Sequence, residues 1–128
     1  MKPPIETVRV SARGREALIK IKKNTGIEHW NEMCRLAFCL SLADSTIPQK
    51  TEKTGDRSID MEWKKFAGQF QEEFAYLIIL RAKKDGVDFS KKEPLAEYLR
   101  AHIERGIANI QNVKKITSFY EILASSTS

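Results

Sequence analysis

From Met33 to Ala43 the chain carries only two polar residues, Arg35 and Ser41. A helix over this stretch is apolar around almost its whole circumference, so it has to be covered on several sides at once. The helix expected just before it reaches one of those sides. A second copy of the chain supplies the rest, so a homo-oligomer is expected, with Gly26, Met33, Leu36, Phe38 and Leu40 as its oligomerisation residues.

Upstream of that helix the pattern is sharper. Thr7-Val8-Arg9-Val10 alternates polar and apolar, the period of a short strand with Val8 and Val10 inward and Thr7 and Arg9 outward. Ser11 follows as an N-cap, since its hydroxyl oxygen can accept the free amide protons of a first helical turn. The spacing predicts a helix to about Asn24, with Leu18 and Ile21 on its inner side and Arg13, Arg15, Lys20, Lys22 and Lys23 on a nearly unbroken basic outer face. Thr25-Gly26-Ile27 is the turn that ends it, Gly26 taking a left-handed conformation and Ile27 folding back onto the core.

Charge sharpens the functional reading. Residues 1–43 hold eight basic against four acidic side chains, a net of +4 out of the chain's +5. A local positive field selects an anionic partner, and with no amphipathic anchor or long apolar run in the sequence that partner is nucleic acid rather than a membrane. Arg9, Arg13, Arg15, Lys20, Lys22 and Lys23 are the expected DNA-binding residues, and the backbone amides at Glu28–Asn31 are a further place for a phosphate. The first residues lack the apolar segment of a secretory signal, so a cytoplasmic location is expected.

The remaining chain reads as one mainly α domain over 1–128. An exposed polar loop spans 44–60, punctuated by Pro48 and Gly55. Trp63, Phe66, Ala67, Phe70, Phe74, Leu77 and Ile78 at helical spacing predict one helix over 61–84. Ser90 and Glu93 form an expected capping box for a helix whose buried side is Leu95, Tyr98, Leu99, Ile103, Ile107 and Ile110. A last helix is expected from Asn112, with Val113, Ile116, Tyr120 and Leu123 inward, before a disordered tail at 124–128.

Catalytic constellations are missing from the pattern. Cys34 and Cys39 point about 140° apart on one helix, so they neither bridge nor chelate one metal, and both are expected in the core as reduced thiols. His29 and His102 have no zinc-spaced partners, so neither metal nor cofactor is expected. The acidic pairs Glu72-Glu73 and Asp85 to Asp88 read as solvated surface, and no serine lies near a histidine in sequence. Trp30 and Trp63 occupy apolar stripes and are expected to pack rather than to stack on bases.

The order of strand, basic helix, glycine turn and buried helix over 7–43 resembles a ribbon-helix-helix module, in which two chains pair their strands. More specifically, Val8-Arg9-Val10-Ser11, Leu18 through Lys23, Thr25-Gly26-Ile27, Trp30-Asn31, Cys34-Arg35 and Ala37 to Ala43 resemble the DndE family of DNA phosphorothioation proteins, as do residues 61–123. That resemblance implies a tetrameric, non-enzymatic protein that binds double-stranded, preferably nicked DNA. It also implies partners: a cysteine desulfurase, an iron-sulfur protein and an ATPase, which together replace a phosphate oxygen by sulfur. Two outward strand residues read few bases, so contact through the sugar-phosphate backbone is expected. The alternatives are a ribbon-helix-helix transcriptional regulator and a protein-protein adaptor.

Overall fold

The computed structural model describes residues 2–51 and 58–111. In chain order these form β1 (Thr7–Val10), α1 (Ala12–Thr25), α2 (Trp30–Ala43), β2 (Ile59–Glu62), α3 (Trp63–Ala67), a single 3₁₀ turn at Gly68–Phe70, α4 (Gln71–Lys84) and α5 (Lys92–Ile110). The architecture is mainly α, as expected. The helix expected from Asn112 and the tail after it lie outside the described residues.

The alternation in β1 does what it predicts: Val8 and Val10 are buried and Arg9 is exposed. Its partner lies in the same chain. β2 runs antiparallel to it, with Thr7 opposite Glu62 and Val10 opposite Ile59. The ribbon-helix-helix resemblance places this pairing between two chains; here one chain makes it alone. Ile59 and Asp60 therefore belong to a strand rather than to an exposed loop. Of the expected loop, Asp44–Lys50 is exposed apart from Pro48, which is buried.

The single helix expected over 61–84 is instead the end of β2, then α3, the 3₁₀ turn and α4. Ile59-Asp60-Met61-Glu62 alternates apolar and polar, which suits a strand, and the helical spacing that begins at Trp63 hides it. At Gly68 the backbone takes φ 60°, ψ −131°, which breaks the helix after α3. Arg35 reaches across from α2 to this break, its Nη1 donating to the Phe66 carbonyl at 3.0 Å.

α5 is the central element. Its inner side is the one expected, with Leu95, Tyr98, Leu99, Ile103, Ile107 and Ile110 all buried. The capping box is not formed: Ser90 donates to Asp88, and Lys91 occupies the N-cap position without a side-chain bond. Along its length α5 packs against α2 so closely that a Cβ on Gly106 would lie 1.8 Å from the Ala37 carbonyl oxygen. This contact changes the meaning of the apolar helix. α2 is covered on several sides, as its composition demands, but by α5 and α3 of its own chain.

Candidate nucleic-acid interface

The ends of α1 are fixed by specific bonds. Ser11 caps it as predicted, its Oγ accepting from the Gly14 amide at 3.0 Å. The Ser11 amide in turn donates to the Glu104 carboxylate of α5 at 2.7 Å. α1 has no acidic residue in its first turn, so the negative charge that its dipole favours comes from another helix. Gly14 makes room for this carboxylate, because a Cβ there would lie 2.9 Å from Glu104 Oε2 and 2.7 Å from Val10 Cγ1. At the other end Gly26 is left-handed at φ 77° and donates to the Lys22 carbonyl at 3.0 Å. The Ser11 and Gly14 amides at the start of α1 are thus engaged within the chain, and what α1 presents outward is its basic side chains.

All six expected cations, Arg9, Arg13, Arg15, Lys20, Lys22 and Lys23, are exposed. They do not form one continuous face. Gly14, Leu18 and Ile21 mark the buried side of α1. Arg13 and Lys20 lie along one flank and Arg15 and Lys22 along the other, about 160° apart around the axis at 100° per residue. Glu16, Ile19 and Lys23 occupy the outermost line between them. Arg13, Arg15, Lys22 and Lys23 make no ion pair among the described residues, while Lys22 Nζ stands 5.6 Å from the centre of the half-buried Trp30 ring. Arg9 is different, because Asp60 across the ladder holds it at 3.6 Å. At the start of α2, His29 is the N-cap residue and makes no side-chain cap bond.

The expected oligomerisation residues divide between core and surface. Met33 and Phe38 are fully buried and Leu40 nearly so, all within the chain's own core, while Leu36 is half-buried and Gly26 is exposed at its turn. The cysteines also divide. Cys34 is buried, and loss of solvation pushes its thiol up to about 12. Cys39 is exposed rather than buried, because residue 39 lies on the side of α2 that neither α5 nor α3 covers. Its thiol is also raised by partial desolvation, with Arg35 pulling it back. Trp63 is core, as expected.

The fold creates one polar cluster that linear spacing hides. Ser41 and His102 are 61 residues apart in sequence and 2.7 Å apart in space, Oγ to Nδ1, both fully buried. Arg105 Nε donates to the same Oγ at 2.8 Å. The Ser41 hydroxyl thus bridges the imidazole and the guanidinium. Burial, with Arg105 and Arg81 nearby, holds this imidazole down at about 4, so it is neutral. Neither member of the pair reaches solvent, so this is no activated serine. Its role is to finish α2, whose last turn has no basic residue of its own. Arg105 donates to the Ser41 carbonyl at 2.8 Å and Arg81 to the Leu42 carbonyl at 2.9 Å, supplying cations at a helix C-terminus from α5 and α4. Asp85, expected in solvent, is nearly buried beside Arg81 at 3.3 Å and accepts from the Tyr98 hydroxyl. Among the described residues, no cluster of three or more His, Cys, Asp or Glu is arranged to hold a metal, and no helix is long and apolar enough to cross a membrane.

The family model for DNA sulphur modification protein DndE matches residues 7–118. No curated protein and no solved structure gives a match.

Proposed function

We propose, from the premise that this chain belongs to the DndE family of DNA sulphur modification proteins, that it is the DNA-binding subunit of a phosphorothioation machinery. It grips duplex DNA through the sugar-phosphate backbone and contributes no catalytic group. The observation that carries this reading is the cation set on α1: five exposed basic side chains on one helix, at whose N-terminus Glu104 engages the Ser11 amide and Ser11 Oγ the Gly14 amide. Cations on two flanks of a helix suit phosphates, which line both edges of a groove and need charge rather than a base-specific geometry. The strand offers little to base edges, with Thr7 half-buried and Arg9 held by Asp60. That favours the backbone reading over an operator-reading regulator.

The finer parts of the reading are a homo-oligomer, a tetramer in this family, a preference for nicked duplex, and work beside an ATPase, an iron-sulfur protein and a cysteine desulfurase. A nick makes the duplex easier to deform, so a protein that bends or wraps DNA through backbone contacts binds it more tightly. The test is binding to intact and nicked duplexes of unrelated sequence over a salt series. The expected result is a linear fall of log affinity with log salt, about 0.9 per phosphate contact, and similar affinities across sequences. Lys22→Ala or Lys23→Ala should flatten the slope by about one unit. A large preference for one sequence with a salt slope untouched by either substitution would replace this reading with the regulator.

A further inference from the structure

Among the described residues, three of the seven large apolar side chains left exposed lie on one helix. On α4, Tyr76, Leu77 and Leu80 are 69%, 41% and 61% exposed, and Phe70 at its N-cap is 45% exposed. Phe70, Glu73, Leu77, Leu80 and Lys84 follow one another at spacings of three and four, the seam by which one helix packs on another. The inner side of α4 is already used, with Phe74, Ala75, Ile78 and Ala82 in the core. The outer seam is a second, separate face.

Charge along the seam says what fits it. Glu73 lies at one end and Lys84 at the other, both exposed and neither in an ion pair among the described residues. We infer that this seam pairs antiparallel with the same seam of a second copy across a two-fold axis between Leu77 and Leu80. In that arrangement Leu77 of one protomer meets Leu80 of its partner, and Glu73 meets Lys84 twice over. A parallel pairing sets Glu73 against Glu73 and Lys84 against Lys84, which repel. The helix dipole accounts for acids early and bases late in α4. It gives no reason for Tyr76, Leu77 and Leu80 to stand in water between them.

This inference rests on the proposed self-association and names its surface, independently of the α1 cations. The test is mass by light scattering at low micromolar concentration, with circular dichroism confirming the fold. The parent chain is expected to be a multimer. Leu80→Lys should lower the mass, since the side chain is already exposed and its loss costs the monomer little. Glu73→Lys and Lys84→Glu should each weaken assembly about tenfold, and the double exchange should restore it. An unchanged mass for Leu80→Lys, or a double exchange weaker than either single one, overturns the α4 seam while leaving the assembly reading in place. A monomeric parent overturns both. Neither result touches the DNA reading, which the salt series decides.

Discussion

Gly106→Ala should destabilise this protein, although helix propensity alone says the opposite. In a helix interior alanine is favoured over glycine by about 1 kcal/mol. Gly106 lies within α5, so a substitution felt only by its own helix would stabilise the fold. The added methyl, however, would lie 1.8 Å from the oxygen, 2.3 Å from the carbon and 2.6 Å from the Cα of Ala37. These are backbone atoms of α2 and cannot turn aside as a flexible side chain can. Relief to an ordinary contact of about 3.2 Å requires α5 to retreat by about 1.4 Å along the line of contact, opening the packing of Ile103 and Ile107 on either side. Overpacking of this kind costs about 3 kcal/mol, so the balance is a loss of about 2 kcal/mol. For a domain of this size that lowers the melting temperature by about 8 °C. Urea unfolding followed by circular dichroism measures it. A variant as stable as the parent, or more so, would show that α2 and α5 do not approach this closely and would refute the argument that α5 covers the apolar helix.

Cys39 should react with a thiol reagent in the native protein, while Cys34 should stay silent until denaturant is added; equal rates under native conditions would contradict the burial described. Replacing Cys39 by Ser should leave DNA binding unchanged in a gel-shift titration. His102 is neutral in the folded state with its pKa depressed to about 4 from 6.5, so the folded protein binds fewer protons than the unfolded chain and stability falls as pH drops through 6.5 towards 4. The loss from this group between pH 8 and pH 5 is about 2 kcal/mol, and a His102→Gln variant should lose that part of the slope in urea titrations run at both pH values.

Much of the N-terminal region is legible in the sequence because its signals are local. The alternation of Thr7 to Val10, the Ser11 cap and the left-handed Gly26 each act within a few residues, and all three stand as read. The inner side of α5 is likewise a matter of period. The helix expected over 61–84 fails for a different reason: the short alternation at Ile59–Glu62 runs straight into the helical spacing from Trp63, and what fixes it as a strand is the partner β1 that it meets about fifty residues away. The missed Ser41–His102 contact has the same cause, since hydrogen bonding between side chains 61 residues apart leaves no trace in spacing.

By itself the sequence determined the mainly α class, the ends of α1 and the concentration of positive charge in the first third of the chain. It also determined that Met33–Ala43 must be covered, because apolar side chains on every side of a helix cannot remain in water. What covers them was decided only by the tertiary structure. A hydrophobic stripe states a need for burial without naming the surface that meets it, since the effect is non-directional and follows the area removed from water. Gly106 names that surface, because only a residue without a side chain lets α5 reach the backbone at Ala37. The same packing decided which apolar residues were left over: Tyr76, Leu77 and Leu80 of α4 stay exposed, whereas Met33, Phe38 and Leu40 of α2 lie in the chain's own core.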